Sequence, residues 1–279
     1  MAAEDIDAVH RVSVAAFDDL QRRFGEDPDP EPTIAAARVR LGHLLATDPG
    51  GAWVAERNGR IVGCALAIVR DGVWGLSLLV VDPRVQSAGA GRELLARARA
   101  HGNGARGFII LSSRDTRALR AYARLGLTLH PCISAAGAPY AVEMPADVRP
   151  GDRGDLPLTE AVDRAVRGAA HGDDIAAMLD AGAALLVAPE RGYAVVRDGH
   201  VRIAAAFDEG GARTVLRAAL AHAAAEGCPA FVEWLSAAQQ WAVEVCVEAR
   251  LELRGLGGAV FLGGDVGPFR PYLPSGAYL

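Results

Sequence analysis

A glycine-spaced turn is the clearest chemical signal in this sequence. It lies in the stretch VVDPRVQSAGAGREL, residues 80–94, between an apolar run and an amphipathic segment. Glycines let a backbone approach a ligand closely, and the first N–H groups of a helix attract anions. The stretch therefore predicts a strand, a phosphate-binding turn and a helix.

Three kinds of phosphate-binding loop can be compared with this turn. A P-loop needs Gly-Lys followed by Ser or Thr, but the chain has no lysine, which also excludes a Schiff-base lysine. A dinucleotide fingerprint needs G-x-G-x-x-G; Gly89 and Gly91 fit, but Leu94 stands in the third place. The third pattern, Gln/Arg-x-x-Gly-x-Gly/Ala, is matched in full by Gln86–Gly91.

A second motif follows one helix and one apolar strand later. Asp115–Leu127, DTRALRAYARLGL, matches Asn-x-x-Ala-x-x-x-Tyr-x-x-Leu-Gly-Phe, with Asp for Asn and Leu for Phe. With both motifs in this order, the segment from Glu4 to His130 resembles the GNAT superfamily of acetyl-CoA-dependent N-acetyltransferases. The resemblance implies transfer of an acetyl group from the thioester of acetyl-CoA to an amine, without a metal.

The resemblance also implies where coenzyme A binds. Its pyrophosphate would lie on the turn, its thioester carbonyl would meet a backbone N–H of the preceding strand, and its pantetheine arm would pass the start of the next helix. These residues also have purely structural interpretations. Leu79–Val81 could be an ordinary core strand, and Asp115 could be a helix cap. The implied cofactor-binding residues are Leu79, Val80, Val81, Gln86, Ser87, Ala88, Gly89, Ala90, Gly91, Arg92, Asp115 and Ala118.

The implied catalytic residues are incomplete. Tyr122 matches the general acid that protonates the leaving thiolate, since phenol and thiol pKa values are close; the alternative is a half-buried aromatic on an amphipathic helix. The base is missing, because Gly75 stands where many relatives carry a glutamate. Ser77, on the same strand face, is a candidate but a weak base. A water chain or a carboxylate from elsewhere could replace it.

Composition limits the class of protein. The chain has 279 residues, 51% of them hydrophobic, a net charge of −5 and a pI near 5.8, so nucleic acid is not expected as a partner. No apolar run reaches the roughly 18 residues of a membrane span, and the acidic N-terminus does not resemble a signal peptide. We therefore expect a cytoplasmic location. The resemblance implies a small-molecule or peptide amine as substrate, and we expect a monomer or homodimer.

The cysteines are expected to be structural. None lies in a CxxC pair, and no histidine cluster has the spacing of a zinc site. Small buried hydrophobic side chains are the simpler interpretation, and no metal is expected. The four are Cys64, Cys132, Cys228 and Cys246.

Repeats in the sequence predict the fold. Asn58-Gly59 and Asp198-Gly199 each separate two strand-like runs, as in a hairpin. GAWVAERNGRIVGCALAI resembles GYAVVRDGHVRIAAAF, and ARLGLTLHPCISAAGA resembles EARLELRGLGGAVFLGG. The expected fold class is α/β, with two tandem GNAT-like domains, each a mixed, mostly antiparallel twisted sheet flanked by helices. We expect a GNAT domain at 1–135, a linker or shared strand at 136–150, and a degenerate copy at 151–279.

The second copy is expected to have lost the cofactor. In place of the glycine turn it has DEGGARTVL, whose Asp208 and Glu209 would repel a phosphate. Trp241 is expected near the place of Tyr122. This half would remain as a structural partner or as one wall of the substrate pocket.

Three functions remain open from the sequence. The first is an N-acetyltransferase with one active domain, the second a non-catalytic acyl-CoA binding or sensing protein, and the third a tandem acetyltransferase of the mycothiol synthase type. The missing base favours the second and Tyr122 the first. The acidic loop Glu26–Glu31 could attract a cationic amine or simply be solvated.

Both ends of the sequence carry expectations. The first helix begins near Asp5, so the strand that usually opens such a domain is expected to be cut short, unless the coding start is placed too late. A second helix is expected after the cap Thr33. The tail GPFRPYLPSGAYL is rich in proline and aromatic residues. We expect it to pack between the repeats, where the Leu279 α-carboxylate is a candidate base; the alternative is a seal.

Overall fold

The structure is a computed structural model that describes residues 1–26, 33–86, 89–255 and 257–279. Most of the acidic loop, residues 27–31, lies outside the described residues, as do Ser87 and Ala88 of the glycine turn. The described chain divides into two compact units, the first formed by Met1–Val69 with Trp74–Ala105 and the second by Arg70–Val73 with Arg106–Leu279.

Helices and strands alternate along much of the chain. The helices are α1 (Ile6–Arg23), α2 (Ile34–Thr47), α3 (Ala90–His101), α4 (Thr116–Ala123), α5 (Leu156–Val166), α6 (Asp173–Asp180), α7 (Glu209–Ala225) and α8 (Gln240–Glu248). The strands are β1 (Ala52–Arg57), β2 (Arg60–Arg70), β3 (Val73–Val81), β4 (Gly107–Ser112), β5 (Thr128–Pro131), β6 (Ile133–Gly137), β7 (Arg149–Pro150), β8 (Ala184–Ala188), β9 (Gly192–Arg197), β10 (His200–Ala206), β11 (Ala230–Leu235), β12 (Glu252–Arg254), β13 (Ala259–Gly264) and β14 (Tyr272–Leu273).

The first unit is a short sheet, β1-β2-β3, with helices α1, α2 and α3. Asn58 and Gly59 join β1 to β2 with φ of 52° and 71°, the left-handed values that a two-residue hairpin turn requires. Thr33 caps α2, its hydroxyl accepting from the Ala36 N–H at 3.2 Å. Trp74 on β3 is fully buried and its indole N–H donates to the Ala98 carbonyl of α3 at 2.9 Å.

Among the described residues no strand precedes α1. Residues Ala3–Asp5 form a 3₁₀ turn that leads directly into α1, and the first described strand is β1. The short strand β7, at the end of the expected linker, precedes α5 and pairs with β8.

The second unit contains two sets of strands. One is β4-β13-β5, and the other has the order β12-β6-β11-β10-β9-β8-β7, with β14 added to β10. The Asp198-Gly199 hairpin between β9 and β10 is confirmed, with φ of 50° and 75°. Most pairs are antiparallel, whereas β10 and β11 pair in parallel. The predicted α/β class with two mostly antiparallel, helix-flanked sheets is confirmed.

The two sequence repeats exchange one strand each. Their alignment makes β5 and β6 the equivalents of β12 and β13. The structure pairs β6 with β11 and β12, and pairs β13 with β4 and β5. Each exchanged strand therefore completes the strand set of the other repeat. The expected domain boundary at residue 135 falls inside one of these strands, β6.

Alanine dominates the core that packs α7 onto the second sheet. Small side chains let a helix approach a sheet closely, so this long helix lies against β8, β9 and β10. Helices α5 and α6 and strand β8 were not predicted from the sequence patterns, and α5 contacts β9 and β10. The fully buried alanines of α7 include Ala212, Ala218 and Ala219.

Candidate active site

Strand β3 leads directly into the glycine turn. The amide of Gln86 donates through Nε2 to the Val81 carbonyl at 2.9 Å, which folds the start of the turn back onto the end of the strand. Asp82 caps the intervening 3₁₀ turn by accepting from the Arg84 N–H at 3.0 Å. The Arg84 guanidinium also bonds to this carboxyl and lowers the pKa of Asp82. These local bonds fix the strand-to-turn geometry before any ligand binds.

At the N-terminus of α3, no side-chain capping bond is formed by the cap residue Gly89. Gly89 is the N-cap of α3 with φ of 92°, a backbone conformation that an L side chain rarely adopts. Having no side chain, Gly89 cannot satisfy the N–H groups of the first turn itself. Ala90 and Gly91 begin the helix and are partly exposed, and Arg92 is exposed.

The described residues Gly89–Arg92 leave room for a pyrophosphate over the start of α3. A Cβ added at Gly91 would come no closer than 3.5 Å to another atom, the Cγ2 of Val81, so the space over the helix start is open within the described structure. An open N-terminus and an exposed arginine are groups that bind phosphate oxygens.

On β3, burial alternates near the expected carbonyl-binding segment. Val80 is buried, while its neighbours Leu79 and Val81 are partly exposed. Ser77 is buried, and Arg40 of α2 donates through Nη2 to both its Oγ and its main-chain oxygen at 3.2 Å. A guanidinium beside the hydroxyl opposes protonation of that oxygen, which weakens Ser77 further as a base.

Arg40 was not among the residues selected from the sequence. It lies in the run RVRLG on α2 and looks like an ordinary surface arginine. Its contact with β3 depends on how α2 folds onto the sheet. Nothing in the local periodicity of the sequence distinguishes it from the other arginines of this helix.

Tyr122 and its helix lie in the second unit. The ring is 5% exposed and packs edge-to-face against Phe261 of β13, with centroids 5.7 Å apart and planes at 79°. Burial, assisted by the nearby Asp115 carboxylate, raises the pKa of Tyr122 above its usual range. The phenol therefore stays protonated at neutral pH, as a general acid must.

Asp115 caps α4. Its Oδ1 accepts from the Arg117 N–H at 2.8 Å, and its Oδ2 pairs with the Arg117 guanidinium at 2.6 Å. The structural alternative considered from the sequence is therefore present in the molecule. The adjacent Ala118 is partly exposed. The turn residues thus lie in the first unit, and Asp115, Ala118 and Tyr122 in the second.

The corresponding helix of the second repeat begins with its own acid. Asp208 is the N-cap of α7, and its carboxylate accepts from the Gly211 N–H at 2.7 Å. Glu209 adds a second negative charge in the first turn. A carboxylate here already occupies a position that a phosphate would need, and it repels anions.

The expected match of Trp241 with Tyr122 is wrong. Tyr122 is the seventh of the eight residues of α4, near the end of that helix. Trp241 is the second residue of α8 and is buried in the core.

Strand β14 pairs with the part of β10 that lies beyond its register pair with β11. Strands β10 and β11 share the register pair His200↔Phe231 near the start of β10. Further along, β14 pairs antiparallel with β10 at Ala204↔Leu273 and Ala205↔Tyr272, and it also lies against β11. The backbone groups at this end of β10 are therefore used by the protein itself.

The cysteines behave largely as expected. Burial raises the pKa of Cys64 and Cys246 to about 12 and that of Cys132 to about 11, so these thiols are not nucleophiles. Cys228 departs from the expectation because it is only partly buried. The described residues contain no cluster of three metal-ligating side chains, and no helix among them is long and apolar enough to span a membrane.

The tail of the chain is held by a buried polar network. The main-chain oxygen of Leu279 accepts from the Tyr272 hydroxyl at 2.8 Å and lies 2.9 Å from Nε2 of His171. Nδ1 of His171 lies 2.7 Å from Asp163, which also accepts from the Tyr193 hydroxyl. All five residues have exposures near zero. Because Leu279 is wholly buried and hydrogen-bonded, the structure does not support it as a base for a substrate amine.

Replacing Asp163 with alanine is expected to lower the free energy of unfolding by about 3–5 kcal/mol, because His171 and Tyr193 would lose a buried acceptor. Urea unfolding measures the change. Asp180→Ala removes an exposed carboxylate paired with Arg153 and is expected to have a far smaller effect. Equal midpoints for the two variants would contradict the prediction.

Comparison with known proteins shows a family domain in part of the chain and a fold shared along nearly all of it. Residues 14–127 match the model of the acetyltransferase (GNAT) family. A protein from Pyrococcus horikoshii classed as an acetyltransferase shares the fold with a TM-score of 0.80 at 16% identity, over 99% of this chain and 93% of its own. A GCN5-related N-acetyltransferase from Sphaerobacter thermophilus gives 0.58 at 16% identity, over 99% and 96%. A tandem GNAT protein from the clavulanic acid biosynthesis pathway gives 0.56 at 14% identity, over 95% and 97%.

The fold is therefore that of an acetyltransferase. Residues 14–127 form a domain of the acetyltransferase (GNAT) family, and the chain shares its fold along nearly its whole length with a tandem GNAT protein. No curated protein sequence gives a significant match. Identities of 14–16% establish a common fold but not a common substrate.

Proposed function

We propose that the chain is an acetyl-CoA-dependent N-acetyltransferase whose active site uses the first sequence repeat, residues 1–135. The observation that carries the proposal is the N-terminus of α3 at Gly89–Gly91, which has no side-chain cap from Gly89 and lies inside the segment that matches the GNAT family. The repeat at residues 151–279 is a degenerate copy without a cofactor, and residues 136–150 form a linker or shared strand. The acceptor is a small-molecule or peptide amine, the expected location is cytoplasmic, and no metal takes part.

Bound acetyl-CoA would supply an activated acetyl group, and the protein would orient it. The N–H groups at the start of α3 and the Arg92 side chain would hold the pyrophosphate. A backbone N–H of β3 between Leu79 and Val81 would polarise the thioester carbonyl, while Asp115 and Ala118 would border the pantetheine arm. The amine attacks directly, so no covalent enzyme intermediate forms.

Tyr122 would donate a proton to the sulfur as the carbon–sulfur bond breaks. A thiol has a pKa near 8.5 and a phenol one near 10 in water, which leaves the transfer slightly uphill. The burial that raises the pKa of Tyr122 would also raise that of a thiolate formed in the same surroundings. The two values then remain close, and proton transfer stays feasible.

The amine is most simply deprotonated through water. The segment VWGLS of β3 carries no carboxylate, and the hydroxyl of Ser77 accepts from Arg40. In this proposal Ser77 and Arg40 orient water or substrate rather than take a proton. The acceptor amine would then need to be neutral or weakly basic at the pH of the reaction.

Two measurements test the proposal. Calorimetry with coenzyme A should show one site per chain, because Asp208 and β14 occupy the equivalent positions of the second repeat. Thiol release from acetyl-CoA should rise when suitable members of a panel of amines are added. Binding without turnover on a broad panel would favour the non-catalytic acyl-CoA sensor, and two sites per chain would contradict the assignment of the second repeat.

A further inference from the structure

Strand β13 comes from the second repeat but lies beside the helix that carries Tyr122. It inserts between β4 and β5, with Phe261 opposite Ile110 on one side and Leu129 on the other. Residue 261 is 139 positions after Tyr122 in the sequence, yet the two rings are in contact. The family domain alone, which ends at residue 127, does not contain this strand.

The contact between Phe261 and Tyr122 is geometrically defined. Phe261 has no exposed surface, and its ring meets Tyr122 at 79° with centroids 5.7 Å apart. Edge-to-face packing of this kind favours one orientation of both rings over a loosely packed alternative. Tyr122 is the seventh of the eight residues of α4. So short a helix has little stability of its own, and what it packs against decides where its last side chains point.

We propose that Phe261 is a positioning residue for acyl transfer, which holds the Tyr122 hydroxyl where the leaving sulfur will be. The inference rests on the proposed function, since it concerns the same proton donor. It gives the degenerate repeat a part in the chemistry. The second repeat binds no cofactor, but its strand β13 fixes the acid of the first.

The test compares Phe261→Leu with Phe269→Leu. Phe269 is also buried and also packs edge-to-face on a tyrosine, Tyr272, with centroids 5.1 Å apart, so it is a matched control on a different tyrosine. Phe261→Leu should lower kcat by about 10- to 100-fold, the scale of a small misplacement of a reacting group, with KM for acetyl-CoA little changed. Phe269→Leu should leave kcat per folded molecule within about twofold.

A double-mutant cycle separates positioning from general loosening. In a Tyr122→Phe background, Phe261→Leu should cause almost no further loss of kcat, because the hydroxyl it positions is gone. If Phe261→Leu lowered kcat by the same factor in the wild type and in Tyr122→Phe, the inference would be overturned. Equal losses of kcat for Phe261→Leu and Phe269→Leu would overturn it too. Phe261→Met provides a second variant if leucine folds poorly, and all rates are taken per folded molecule.

The leaving group provides a further readout. With acyl donors whose thiols differ in pKa, the wild-type rate should depend weakly on thiol pKa and the Phe261→Leu rate steeply, because the departing thiolate is then less well protonated. An unchanged dependence would contradict positioning. If Tyr122→Phe itself has no effect on kcat, the proposed acid fails and the inference fails with it. If Tyr122→Phe lowers kcat but Phe261→Leu does not, the proposed acid stands and only the role of Phe261 is overturned.

Discussion

Tyr122→Phe is expected to lower kcat by roughly 10²- to 10⁴-fold, the usual contribution of a general acid, while the affinity for coenzyme A stays the same. The hydroxyl acts mainly as the thiolate departs, so its loss affects the transition state more than the ground state. Steady-state rates and calorimetry on the same preparation measure the two quantities. Tyr140→Phe, which removes the hydroxyl of an exposed ring, is the control and should be silent.

The pH dependence follows from the same residue. Burial raises the pKa of Tyr122, so the acid form, which catalysis needs, is present at neutral pH and is lost only when the pH rises through that raised value. The wild-type kcat should therefore show no fall on the basic side up to about pH 10, the unperturbed phenol value. A fall near pH 8, or an unchanged kcat for Tyr122→Phe, would return Tyr122 to a structural role.

Gly91→Val is expected to abolish measurable binding of coenzyme A without unfolding the protein. A Cβ at Gly91 meets no described atom closer than 3.5 Å, so the folded chain can accept it, but a branched side chain would cover the N–H groups that face the phosphates. Calorimetry measures binding and thermal unfolding measures stability. The double variant with Gly89→Val should also lose binding, with added backbone strain at the positive φ of Gly89.

Gly42→Val supplies the matched control for this substitution. Gly42 also lies in a helix, α2, with no atom within 4 Å of an added Cβ, so the same change is made at a site away from the turn. Its affinity for coenzyme A should equal that of the wild type. Retained binding in Gly91→Val would mean that the turn holds no phosphate, whereas lost binding in Gly42→Val would point to a general effect of valine in a helix.

Local signals in the sequence determined the parts of the fold that depend on a few adjacent residues. Asn58-Gly59 and Asp198-Gly199 form the predicted hairpins because these residue types accept the positive φ that such turns need. Thr33 caps α2 for an equally local reason, since its hydroxyl reaches an N–H three residues on. The strand, turn and helix around Gly89 follow from the same kind of short-range chemistry, as does the family resemblance built on them.

Only the tertiary structure decided which strands pair and which side chains meet. An apolar run such as β13 can pair with many strands, and nothing in its own residues shows that it leaves its repeat to lie between β4 and β5. The contacts of Phe261 with Tyr122 and of Arg40 with Ser77 join residues far apart in sequence, so no spacing encodes them. The placing of Trp241 failed for the same reason, because it depended on where α8 begins and ends. Short-range preferences set each element, but the free energy of packing the whole chain selects their partners.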